Sequence, residues 1–261
     1  MNPSTWRPPT DHARINQFAI ACFRDTADAD YIAARAAMRA RLAGPFLWSA
    51  LHSIEKYLKC ILMLNRQSTI GLKHKIAEAL DRINASLPFA IRLDPAEQEF
   101  VDRLVEWNGD RYLLQSYHLF DSELLRLDRL VWKLRQYCQP LDVVHYADPP
   151  SPQVLASNIK RIEAGMSGPA QAGHVPAGKL EQILADRKHA SRDALVWANA
   201  WYCVKPRTKV WFTRGFQGVN SPLWLYPELA GQVALWMEIP KSVLEGARQL
   251  VDRRKRTGEK P

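Results

Sequence analysis

Residues 46–64 read Phe46-Leu-Trp-Ser-Ala50-Leu-His-Ser-Ile-Glu55-Lys-Tyr-Leu-Lys-Cys60-Ile-Leu-Met-Leu64, and the fold turns on how this stretch is read. Leu47, Leu51, Ile54, Leu58, Ile61 and Leu62 recur at steps of three and four, the period of one helix face. Phe46, Trp48, Ala50, Tyr57 and Leu64 widen that face until little of the circumference stays polar. A helix this apolar all round is normally surrounded by other helices, so the stretch predicts the centre of an all-helical bundle. Its polar side chains His52, Glu55, Lys56 and Lys59 share one narrow strip. Such groups need partners if they are buried. The strip is therefore either a Glu–Lys pairing along the helix or the lining of a cleft or dimer interface.

Working outward, Asp28 or Asp30 is suited to cap a first helix, with Tyr31, Ala34, Met38 and Leu42 on one face. Gly44-Pro45 is expected to break the chain before the central helix. A third helix is predicted over 72–87, with Leu72, Ile76, Leu80 and Ile83 inward. A fourth starts at Asp94-Pro95-Ala96-Glu97, where Asp94 is the cap, Pro95 suits the first turn and Glu97 can close a capping box. Phe100, Val101, Leu104 and Val105 face the core, and Asn108-Gly109 ends the helix. Phe120, Leu124, Leu127, Val131, Leu134 and Cys138 alternate at four and three, a two-helix packing seam, before Pro140 stops the run.

The composition then changes at Asp148-Pro-Pro-Ser-Pro152, which reads as a linker. Beyond it, helices are predicted over 153–164, 179–186, 191–203 and 240–253, with a Gly/Pro/Ala-rich loop at 165–178. Lys209-Val-Trp-Phe-Thr213 alternates like a short strand, and Asn220-Ser221-Pro222 turns the chain. The domains expected are a 1–24 extension, a 25–145 bundle, a 150–253 accessory module and a basic, disordered 254–261 tail.

The net charge of +9 is uneven: 17 Lys and Arg oppose 10 Asp and Glu in residues 146–261, against 19 and 17 before them. That excess suits a polyanion without specifying one. The first ten residues are polar and proline-rich, and charged residues or histidine interrupt every apolar run, so no membrane span and a cytoplasmic location are expected. Cys22, Cys60, Cys138 and Cys203 form no C-x-x-C pair, which argues against a zinc ribbon or a redox motif, and they read as reduced, mostly buried thiols; no metal or other cofactor is expected.

Three features together resemble the HEPN superfamily, named for nucleotide-binding proteins of higher eukaryotes and prokaryotes. They are Asp30-Tyr31 entering a first helix with Ala-Arg, Ala50-Leu-His-Ser-Ile-Glu55-Lys-Tyr-Leu-Lys59 in the second, and Leu72-Lys-His74-Lys opening the third. The resemblance covers about residues 25–139 and implies an up-and-down bundle of four to five helices that often dimerises. The fold class expected is thus mainly α, a HEPN-type bundle with a smaller α(+β) C-terminal module. Many members are metal-independent ribonucleases, acting as toxins or antiphage effectors. Others bind nucleotides, RNA or a nucleotidyltransferase partner without catalysis.

Catalytic members of the family carry an Arg, four to six residues, then a His near the start of the last long helix. Here Arg111-Tyr-Leu-Leu-Gln-Ser-Tyr-His118 has that form, with Asn108-Gly-Asp110 placed to cap a helix at Arg111. RNA cleavage without a metal needs a base for the 2′-OH proton, and histidine titrates near neutrality. It also needs a cation against the charge growing on the phosphate, which the guanidinium fork supplies. With 23 Arg and 7 His in the chain, chance gives on the order of two such spacings, and Arg7/His12 is one. Tyr112 stands where the family often has a polar residue, and Phe120 where it often has Tyr.

Elsewhere, His52, Glu55 and Lys59 are candidate RNA- or nucleotide-binding groups, while His74 reads as a capping or packing residue. Arg207, Lys209 and Arg214 lie among Trp197, Trp201, Tyr202, Trp211, Phe212 and Phe216, a pattern that either holds single-stranded RNA or forms a small aromatic core with a basic rim. Two functions follow from the resemblance. One is a metal-independent endoribonuclease of toxin or antiphage-defence type, with Arg111 and His118 catalytic. The other is a non-catalytic module that binds nucleotide or a nucleotidyltransferase-type partner. RNA, a second copy of the chain and an antitoxin are the partners expected.

Overall fold

The apolar stretch forms α3 (Ala43–Leu64), and Phe46, Leu51, Ile54, Tyr57, Leu58, Ile61 and Leu62 on it are all buried. A computed structural model describes residues 10–107, 113–141, 152–166, 177–203, 210 and 215–258 of the chain. Gly44-Pro45 does not break the chain. It lies in the first turn of α3, where a backbone without a donor costs no hydrogen bond.

The helix before it starts well ahead of Asp28. Thr10 caps α1 (Asp11–Ala19) by accepting from Ala13 N at 3.2 Å, and a wider π turn (Ile20–Arg24) joins α1 to α2 (Asp25–Arg39). Asp28 is thus a buried mid-helix residue and not a cap. Because α2 ends at Arg39, Leu42 leaves the expected inward face and stays exposed. Around α3 pack α2, α4 (Ile76–Ser86), α5 (Pro95–Glu106) and α6 (Ser122–Gln136). The Asp94 capping box is present in full: Asp94 accepts from Glu97 N and Glu97 accepts from Asp94 N, both at 2.9 Å. Leu72 is buried but belongs to the turn before α4.

The described residues are mainly helical, and none of the helices is long and apolar enough to cross a membrane. A two-stranded antiparallel ribbon pairs β1 (Tyr117–Phe120) with β2 (Phe216–Val219), and His118 lies opposite Gly218. The expected strand at 209–213 falls almost wholly outside the described residues; the strand observed begins at Phe216. Phe120, expected in the helical seam, is an exposed ribbon residue.

Past the linker come α7 (Pro152–Gly165), α8 (Lys179–Ala185) and α9 (Arg192–Val196). The helix expected over 191–203 stops at Val196 because Asn199 organises a turn, its side chain accepting from Trp201 N and Tyr202 N at 2.9 Å each. Ile162, Leu180, Ile183, Leu195 and Tyr202 join the core around α3. A separate small core gathers Leu223 of α10 (Pro222–Leu225), Ala230 of α11 (Ala230–Val233), Ile239 of the connection after it, and Val243 and Ala247 of α12 (Lys241–Thr257). α12 continues through residues 254–257, which the charge pattern assigns to a disordered tail, because Gly258 in the left-handed region provides its stop.

The 179–199 segment is locked to the bundle by buried charges. Arg35 pairs with Asp128, and its guanidinium also reaches the carbonyls of Ala194 (2.8 Å) and Trp197. Arg135 makes two bonds to Asp28 (2.9 and 3.0 Å) and two to Glu181 (2.6 and 2.7 Å). The Tyr31 and Tyr57 hydroxyls donate to Asp128 and Asp28 at 2.7 Å, and burial raises both phenols so that they stay protonated donors. Burial also raises the Asp128 carboxyl, with Arg35 and the Tyr31 hydroxyl opposing that rise. Gly178 passes so close that a Cβ there would sit 2.8 Å from Arg135 Nη2.

Asp128→Ala leaves Arg35 buried without a carboxylate and is expected to lose about 3–5 kcal/mol in urea denaturation. Replacing both partners, with Arg35→Met and Asp128→Leu, is expected to recover most of that loss. Asp94→Ala is expected to cost about 1 kcal/mol. The Glu97 backbone N–H, and then Arg129, hold the Asp94 carboxyl below its ordinary value. Its stabilisation is therefore complete above about pH 4 and fades as pH falls below that, so wild type and Asp94→Ala should converge in acid thermal melts.

Candidate functional site

Two features meet at the N-terminal half of α3. The first is a cleft of about 510 Å³ lined by Leu47, Trp48, Leu104, Trp107, Leu113 and Tyr117. It forms because α3 brings Trp48 up beside the end of α5 and the start of β1. Trp107, at the C-terminus of α5, faces the Tyr117 ring at 6.1 Å. Gly44 permits the close approach of β1, since a Cβ there would stand 3.1 Å from the Tyr117 hydroxyl. A cavity of this size with an apolar, aromatic lining has the general character of a small-molecule site.

The other face of β1 carries His118. Side chains alternate along a strand, so Tyr117 and Leu119 turn inward while His118 and Phe120 are exposed. Phe216, 61 % exposed on β2, stacks on the His118 ring at 5.9 Å, and Phe120 meets that ring edge-on at 5.6 Å. Trp107 touches it edge-on at 6.4 Å and so borders both faces. The imidazole thus sits open to solvent within a ring of aromatic surfaces. His118 is not at the start of the last long helix, as its spacing suggests; that helix begins at Ser122. Pairing with β2 extends the chain here, and nothing in the local pattern announces a partner about one hundred residues away.

The second feature is the polar strip of α3. His52 Nδ1 is 2.8 Å from the Trp48 carbonyl, which can only accept, so that nitrogen carries the proton. The Trp48 ring meets His52 at 4.2 Å, tilted by 46°, and also lines the cleft. Glu55 is buried; one oxygen pairs with Lys59 and the other with His74 Nδ1 at 2.7 Å. Lys56 pairs with Asp30 of α2 at 2.6 Å. The i, i+4 pairing of Glu55 with Lys59 is therefore real, yet Glu55 also reaches His74, which lies in the turn before α4. His74 is not a cap: it is half-exposed and bridges that turn to α3.

Of the candidate residues, His52, Glu55 and Lys59 lie together and His118 lies on the ribbon beyond Trp48 and Trp107. Arg111, Arg207, Lys209 and Arg214 lie outside the described residues. Tyr202 is buried in the core and Trp201 packs against it, whereas Phe216 is exposed beside His118. Trp107, central to both faces, carries no signal in the sequence beyond being the last aromatic before Asn108-Gly109. No family model, curated protein or solved structure matches the chain.

Proposed function

We propose that this chain is a HEPN-type RNA-directed protein, a metal-independent endoribonuclease of toxin or antiphage-defence type. The observation that supports this reading is the exposed His118 imidazole among Phe120, Phe216 and Trp107. Single-stranded RNA is held by stacking its bases on aromatic faces, and a titratable imidazole among such faces lies beside the ribose of a stacked nucleotide. His118 takes the 2′-OH proton and the 2′-oxygen attacks the adjacent phosphorus. The 5′-oxygen leaves and takes a proton from water, giving a cyclic phosphate and a 5′-OH end, and the His118 imidazolium returns its proton to solvent. Arg111, seven residues earlier in the chain, balances the phosphate charge.

Purified protein is expected to cleave single-stranded RNA in EDTA, leaving cyclic phosphate ends. His118→Ala should lower kcat by about 10²–10⁴. Phe216→Ala should mainly raise KM. Expression of the wild type should arrest growth, and His118→Ala should relieve it. RNA that stays intact at high protein concentration, with Arg111→Ala indistinguishable from wild type, overturns the reading.

The cleft supports a second reading, a non-catalytic HEPN module that binds nucleotide, as a homodimer or with a nucleotidyltransferase or antitoxin partner. Its aromatic lining by Trp48, Trp107 and Tyr117 suits a base. On this reading, nucleotides quench tryptophan fluorescence saturably, Trp107→Ala weakens binding at least tenfold, and RNA is not turned over.

A further inference from the structure

His52, Glu55 and His74 each present one ligand atom within 4.8 Å of the other two. Helical spacing alone aligns His52 with Glu55, three residues apart on α3. His74 arrives from the turn before α4, so the third group is a product of tertiary folding. The Trp48 carbonyl holds the His52 Nδ1–H, which leaves Nε2 as the lone-pair nitrogen. That backbone-to-imidazole bond is the outer-shell contact that orients a metal-bound histidine. Lys59 occupies one oxygen of Glu55 and so directs the other towards the histidines. Among the described residues, no group hydrogen-bonds Nε2 of either imidazole.

We propose that His52 Nε2, His74 Nδ1 and Glu55 Oε2 bind one borderline transition-metal dication of the Zn²⁺ class. Two imidazoles and one carboxylate are a donor set that such ions favour over Ca²⁺ or Mg²⁺, which take oxygen ligands. On binding, the proton on His74 Nδ1 is released to water or passed through it to Nε2, and Glu55 exchanges that hydrogen bond for the metal. Ligands of a tetrahedral zinc lie about 3.3 Å apart at bonds of ~2.0–2.1 Å. The half-exposed His74 ring supplies the inward movement from the observed spread. Its exposure also leaves the outer coordination positions open to water. The site is separate from His118, on the far side of Trp48, so the ion clips the 65–75 turn to α3 and takes no part in the RNA chemistry proposed above.

Full-length protein stripped with EDTA and dialysed should take up one equivalent of Co²⁺, with visible d–d absorption that Zn²⁺ displaces. Zn²⁺ should raise its Tm. His74→Ala, which removes an exposed side chain, should weaken Co²⁺ binding at least tenfold and abolish the Tm rise. Glu55→Gln should weaken binding likewise, and where it alters the circular dichroism spectrum His74→Ala decides. His118→Ala and His189→Ala should bind as wild type. Uptake that is absent, substoichiometric or unchanged by His74→Ala overturns the proposal, whether or not the protein cleaves RNA.

Discussion

Two guanidinium groups, those of Arg35 and Arg135, sit at zero exposure inside the packing, and neither can shed its charge. A buried cation without a partner costs far more than any single apolar contact returns. Each therefore dictates what must surround it. Asp128 comes from α6 and Asp28 from α2, while Glu181 and the carbonyls of Ala194 and Trp197 come from beyond the linker. The bundle thus reaches its lowest energy only with the 179–199 segment docked on it. Tyr31 joins this arrangement from both sides, donating to Asp128 and accepting from Asn199 at 2.9 Å.

The same constraint organises the candidate sites. With α2, α6 and the docked segment fixed on α3, what the remaining parts of that helix meet is α4, α5 and the turns beside them. Its apolar first half forms a wall of the cleft, and its polar strip meets the turn before α4. Trp48 belongs to both, lining the cleft and meeting the His52 ring in a tilted contact. A ligand in the cleft and the polar cluster are therefore linked through one side chain.

The ribbon is a different kind of structure. It is held by four residue pairs between segments about one hundred positions apart, and its exposed face is aromatic where an isolated strand would normally be polar. Phe120, Phe216 and His118 gain their mutual contacts only through that register. A slip of one residue would turn His118 inward and Tyr117 out.

Much was legible without the structure. The three- and four-residue steps of Leu47 through Leu62 specify a buried helix because a helix repeats its faces at 3.6 residues. Asp94 and Glu97 specify a helix start because the two side chains meet the backbone only when it turns there. The nearness of His52, Glu55 and Lys59 follows from the same period. What required the tertiary structure was every relation across the chain. Arg35 and Arg135 look like ordinary surface residues of amphipathic helices until Asp128, Asp28 and Glu181 close around them. His74 gains a chemical setting only when the turn before α4 lies against Glu55. His118 reads as the entrance of a helix, and β2 makes it part of a strand. Local periodicity encodes which face of an element is buried, whereas the identity of the group lying across from it depends on packing between segments far apart in the chain.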